Sequence, residues 1–157
     1  MNRRSFLLQG GAALAGARAF SSEAQTNDAD RVVKTPAEWK KVLTPAQYAV
    51  LREEGTEPPY SSPLDKEKRK GTFVCAGCDL PLFKSETKFD SGTGWPSFYA
   101  AIPGAIGTKV DYKIIVPRTE YHCRRCDGHQ GHVFPDGPPP TGQRYCNNGV
   151  ALKFIPA

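Results

Sequence analysis

Two CxxC pairs, Cys75-Ala-Gly-Cys78 and Cys123-Arg-Arg-Cys126, stand 44 residues apart in this chain. Two residues between cysteines let both sulfurs approach one ion within a tight turn, and two such pairs complete a tetrahedral thiolate shell for Zn2+. The separation exceeds that of small zinc modules, so an ion held here would tie together distant strands of a larger domain. Four sulfurs fill the shell and leave no open position for substrate, which makes the expected role structural. Two other arrangements compete: a pair of disulfides in an oxidising compartment, or redox pairs of the thioredoxin kind. A redox CxxC usually opens a helix after a strand. Here Cys78 is followed by Asp79-Leu80-Pro81 and Cys126 by Asp127-Gly128, both turn sequences, and that context favours the metal.

A chain of 157 residues has room for one ordinary domain around that centre. Its 15 Gly and 14 Pro predict many turns and few long helices. The N-terminus reads Asn2-Arg3-Arg4-Ser5-Phe6-Leu7-Leu8 and continues into a Gly/Ala-rich stretch, a pattern that resembles a twin-arginine export signal. Ala17-Arg18-Ala19 and Ser22-Glu23-Ala24 are both small-x-small cleavage sites, placing the cut after residue 19 or 24. The expected organisation is a leader over 1–24, a polar segment over 25–34 and a domain over 35–157, periplasmic or exported. Without Arg3, Arg4, Arg18 and Glu23, the net charge of +5 becomes +3, with acids and bases interspersed, which argues against a nucleic-acid partner. Beyond the leader no apolar run approaches the roughly 18 residues that cross a bilayer, so the mature form is expected to be a monomer away from the membrane.

Thr35-Pro36-Ala37-Glu38 and Thr44-Pro45-Ala46-Gln47 are successive capping boxes with Pro at the first helical position, predicting two short helices. Trp39, Val42, Leu43, Tyr48 and Leu51 form their expected docking face, with Gly55 and Pro58-Pro59 ending the second. Tyr60 to Lys70 reads as a solvated linker. Short β-like runs follow at 72–75, 80–83, 109–116, 119–123, 132–134 and 149–155, which predicts a mainly β domain with antiparallel sheets.

The fifth cysteine, Cys146, has no CxxC partner. Such a residue is either a buried small hydrophobe or a reactive thiol. Arg144 favours its thiolate electrostatically, and Asn148 shares its face if the stretch is extended. His132 lies 14 residues upstream across the turn-forming Pro135-Asp136-Gly137-Pro138-Pro139-Pro140, so the two segments can lie side by side. A Cys/His/Asn constellation is therefore available.

The runs CAGC at 75–78, FDSGTGWPSF at 89–98 and CRRCDGHQGHVFPDGPPPTGQRYCNNGVALKF at 123–154 resemble the peptide methionine-R-sulfoxide reductases, the type B methionine sulfoxide reductases. The resemblance implies two antiparallel sheets with short N-terminal helices, one structural Zn2+ on Cys75, Cys78, Cys123 and Cys126, and a nucleophilic Cys146. In that chemistry a thiolate attacks the sulfoxide sulfur, the oxygen is protonated, methionine leaves and the cysteine becomes a sulfenic acid. His132 and Asn148 are the candidate donors to the oxygen, while Trp95 and Phe134 resemble the aromatic wall around the S-methyl group. His129 and Arg144 are further substrate-binding candidates. Many family members carry a resolving cysteine where this chain has Thr93, and a hydroxyl cannot form a disulfide. The expected reductant is therefore external, a thioredoxin-like partner or a small thiol, acting after reduction of oxidised protein substrates. Two rivals of other classes remain. A zinc-ribbon binding module leaves Trp95, His132 and Cys146 unexplained, and a Cys/His hydrolase would form an acyl-enzyme.

Overall fold

Two Thr-Pro capping boxes open the folded region in a computed structural model that describes residues 30–157. The expected leader, both cleavage sites and half of the polar segment lie outside the described residues. In α1 (Pro36–Val42) the Thr35 hydroxyl accepts from the Glu38 amide and the Glu38 carboxylate accepts from the Thr35 amide; Thr44 and Gln47 repeat the arrangement at α2 (Pro45–Glu53). Each box satisfies amides that a helix start would leave orphaned. Trp39, Leu43 and Leu51 are buried as expected, but Val42 faces solvent. The left-handed Glu54, rather than Gly55, caps α2, its amide bonding back to Ala49.

Nine strands make two fully antiparallel sheets among the described residues. The smaller has the order β2 (Pro81–Lys84), β1 (Gly71–Cys75), β9 (Leu152–Pro156). The larger runs β3 (Lys88–Phe89), β4 (Ser97–Phe98), β8 (Arg144–Asn147), β7 (His129–Phe134), β6 (Arg118–Cys123), β5 (Ile106–Asp111). Aromatic side chains fill the space between them: Phe83 stacks on Phe98 at 4.2 Å, Phe73 meets Phe98 edge-on at 4.9 Å, and Tyr121 meets Tyr145 edge-on at 5.5 Å. Truncating a fully buried ring such as Phe98 is expected to cost about 3–5 kcal/mol. No described helix is long and apolar enough to cross a membrane.

Three sequence expectations need correction. The run at 109–116 leaves the sheet after Asp111, because the Asp111 carboxylate accepts the Lys113 amide at 2.8 Å and closes an Asx-type turn. The run at 149–155 begins as a 3-10 turn over Gly149–Ala151, whose first two amides are taken at 2.6 and 2.8 Å by the Glu57 carboxylate. The stretch read as a solvated linker includes a 3-10 turn over Pro63–Lys66 with a buried Asp65, whose carbonyl accepts from Lys88 at 2.7 Å.

Candidate active site and metal centre

The two CxxC segments fold into matching knuckles. In one, the Asp79 amide bonds to the Cys75 carbonyl and the Cys75 amide to the Leu80 carbonyl. In the other, Asp127 bonds to Cys123 and Cys123 to Gly128 in the same way. Asp79 and Asp127 each take a left-handed conformation, the turn-forming role their position suggested. The four sulfurs lie within 4.8 Å of one another, with Cys75–Cys126 at 3.6 Å and Cys78–Cys123 at 3.4 Å. A tetrahedral ion with bonds of about 2.3 Å needs sulfurs roughly 3.8 Å apart, and the cluster brackets that spacing, which fits a metal of that kind. None of the four is disulfide-bonded. Trp39 packs against Gly77 in one knuckle and Leu51 against Gly128 in the other, while Arg52 donates to the Cys126 carbonyl at 2.8 Å. The helices thus cover a cysteine cluster where the β1 end meets the β6–β7 turn.

Strand register builds the second site. His132 on β7 stands directly opposite Cys146 on β8, and Ser97 on β4 stands opposite Cys146 from the other side. Gly131 makes this approach possible, since a Cβ there would lie 1.9 Å from the Cys146 carbonyl oxygen. A cavity of about 160 Å3 opens at the thiol, walled by Trp95, His132, Phe134, Cys146, Asn147 and Asn148 together with Thr56, Gly131 and Arg118. That is room for the end of one side chain, well below the 300–1,000 Å3 of a drug-sized pocket. A larger groove of about 740 Å3 between α2 and β9 carries neither thiol nor histidine on its walls.

His132 Nε2 lies 2.7 Å from Asp111 Oδ2. Asp111 also accepts from Arg118 at 2.7 Å. The Lys113 amide first, then His132 and Arg118, hold the Asp111 carboxyl well below the usual range, so it is ionised. An ionised carboxylate only accepts, which makes Nε2 the protonated nitrogen of His132 and leaves Nδ1 with a lone pair. Burial lowers the His132 pKa, opposed by Asp111, so the ring is neutral near pH 7. Burial also raises the Cys146 pKa, against the pull of Arg144 and of the Thr93 hydroxyl. The resting site therefore holds a thiol on the strand position opposite a neutral imidazole.

The other candidates fall into distinct places. Asn148 reaches the cavity although β8 ends at Asn147; its Nδ2 donates to the Gln130 carbonyl at 2.9 Å and its Oδ1 accepts the Glu57 amide at 3.0 Å. Trp95 is oriented by its indole N–H, which donates to the Glu57 carbonyl at 3.0 Å. Arg144 makes a two-pronged pair with Asp136 at 2.9 Å and lies over the Phe134 ring at 4.5 Å. His129 is not among the cavity walls: it is buried behind His132, ring centroids 5.5 Å apart, with Nδ1 2.7 Å from Glu120. Burial resists ionisation of Glu120, but bonds from His122 and His129 outweigh it and hold the carboxyl at about 2. Asp111, Arg118, Thr56 and Glu57 escaped the sequence reading. None carried a signal that tied it to the site: Asp111 sat inside the run at 109–116 read as one strand, and nothing local linked it to His132.

The SelR domain family matches residues 43–156, most of the chain. Relatives named peptide methionine sulfoxide reductase MsrB cover nearly their whole lengths in this alignment. That of Agrobacterium fabrum is 52% identical over 127 residues, 80% of this chain and 94% of the relative. That of Pseudomonas putida is 56% identical over 128 residues, 80% and 96%. That of Methanosarcina barkeri is 55% identical over 124 residues, 78% and 87%. With the fold, the four-cysteine cluster and this similarity in hand, the chain belongs to the SelR-domain family of MsrB peptide methionine sulfoxide reductases.

Proposed function

We propose that the protein reduces methionine-R-sulfoxide residues in oxidised proteins, with Cys146 as nucleophile and His132 as proton shuttle. The observation that carries this reading is the cross-strand pairing of Cys146 with an Asp111-anchored His132 in a cavity walled by Trp95 and Phe134. The two rings form an apolar slot suited to an S-methyl group. His132 Nδ1 accepts the Cys146 proton, and Asp111 stabilises the imidazolium that forms. The thiolate attacks the sulfoxide sulfur, and the same proton moves from His132 to the sulfoxide oxygen. The substrate's S–O bond and the newly formed sulfur–sulfur bond then break as the hydroxyl passes to the Cys146 sulfur, so that methionine departs and Cys146 is left as a sulfenic acid. Thiol plus sulfoxide thus become sulfenic acid plus thioether with no net uptake of protons. Asn148 shapes the pocket floor, and Arg144 biases Cys146 toward the thiolate.

Thr93 occupies the position from which a resolving thiol would attack. The sulfenic acid therefore condenses with an external thiol to a mixed disulfide and water, and a second thiol releases Cys146. A thioredoxin-like protein or a small thiol fills that role. Structural Zn2+ held by Cys75, Cys78, Cys123 and Cys126 supports the fold and takes no part in these steps. Export through the twin-arginine route would deliver the folded monomer to the periplasm or cell exterior.

The test is turnover of a peptide carrying methionine-R-sulfoxide or its S epimer with dithiothreitol, for the wild type and Cys146→Ser. Activity on the R epimer alone, abolished by the substitution, supports the reading. Turnover of neither epimer by metal-loaded, folded protein rejects it.

A further inference from the structure

The β5–β6 hairpin ends in a run of apolar side chains that stand exposed among the described residues. Tyr112 is 74% exposed, Ile115 fully exposed and Val116 67% exposed, with Val110 and Ile114 half open. A soluble domain rarely presents so many adjacent large apolar groups without a use for them. The hairpin is also held firmly. Asp111 and Arg118 form its closing pair and bond to each other, and Lys109 and Lys113 both pair with Glu54 at the end of α2.

Its position is set by register. Cys146, His132, Glu120 and Lys109 form one row across four strands of the large sheet. Side chains alternate along a strand, so Arg144, Phe134, Arg118 and Asp111 form the next row on the same face. Arg118 walls the cavity and Asp111 anchors His132, and the apolar tip projects beyond that row. Strand spacing and rise put the tip on the order of 15–20 Å from Cys146, the span of five or six extended residues.

We infer that this hairpin tip is a docking surface for the apolar sequence flanking a methionine sulfoxide in an oxidised polypeptide. This rests on the proposed activity. Methionine is a core residue, and its oxidation disrupts cores, so the damaged chain presents the sulfoxide together with apolar neighbours. A surface that lies past Arg118, a wall of the cavity, and one short stretch of chain from Cys146 meets those neighbours. The flanking cations are already committed, Lys109 and Lys113 to Glu54 and Arg118 to Asp111, so the tip carries little free positive charge for an anionic membrane.

The test compares two substrates, N-acetyl-methionine-R-sulfoxide amide and a twenty-residue unstructured peptide with Leu or Phe five and six positions from its methionine-R-sulfoxide. The variant combines Ile114→Ser, Ile115→Ser and Val116→Ser; Ile115→Ser alone is the milder version. The expected result is a rise of about fivefold or more in KM for the peptide, with kcat and the small-substrate kcat/KM unchanged. Wild-type protein should lose the same factor when the peptide's apolar flanks are replaced by Ser. Equal kinetics of wild type and variant on the peptide would overturn the inference, more so if the variant instead loses binding to anionic vesicles or loses a dimer. If the wild type turns over neither substrate, the proposed activity has failed rather than the docking surface.

Discussion

Asp111 and His132 lie 21 residues apart in sequence and 2.7 Å apart in space, the carboxylate capping the imidazole from the side away from Cys146. This contact fixes which nitrogen of His132 carries the proton. Asp111→Asn keeps the size but removes the anion that stabilises the imidazolium. The expected outcome is a fall in kcat of roughly 10²-fold on a methionine-R-sulfoxide peptide, with metal content retained. Steady-state kinetics with metal analysis checks it.

Burial raises the Cys146 pKa while Arg144 opposes the rise. The thiolate is the reactive form, so alkylation of Cys146 should climb with pH and reach half its plateau above the ordinary cysteine value of about 8.5. Arg144→Met removes the opposing charge and should move the midpoint further up. Peptide mass spectrometry after iodoacetamide at a series of pH values gives both curves.

A metal held by the four cysteines would cross-link segments that are distant in sequence, so one ligand change should act on the whole fold. Cys78→Ser is expected to abolish stoichiometric metal binding and lower the melting temperature by roughly 10 °C or more. Elemental analysis and circular dichroism of wild type and variant decide the point.

The Thr93 hydroxyl works against the rise in the Cys146 pKa and is linked through Ser91 to the buried Ser97, at 2.8 and 2.7 Å. The wild type should lose one free thiol per methionine formed in a single turnover. Thr93→Cys should lose two, with a disulfide to Cys146 found by mass spectrometry. Retention of the new thiol after turnover would show that the loop cannot bring it to Cys146.

Features confined to a few consecutive residues were legible without coordinates. The capping boxes at Thr35 and Thr44 formed as read, because a helix start is satisfied by groups three residues apart. The turn at Gly149 was not legible, since it is set by the carboxylate of Glu57, 92 residues before it, and the local turn that Asp111 closes with the Lys113 amide was masked by the apolar residues that continue the strand-like run. Val42 satisfied the helical spacing yet faces solvent, because spacing says which residues share a face and not how wide the buried part of it is.

By itself the sequence determined the chemistry on offer: four cysteines in two knuckles, a fifth thiol, and His132 and Trp95 within motifs that resemble the reductase family. Tertiary structure alone decided what those groups face. A slip of one residue between β7 and β8 would turn His132 away from Cys146; only the pairing of β5, β6 and β7 brings Asp111 to His132, and only the packing of the segment after α2 brings Glu57 to Trp95 and Asn148. Residue types travel with the chain, but proton transfer depends on contacts between segments that meet only when the sheets and their core have formed.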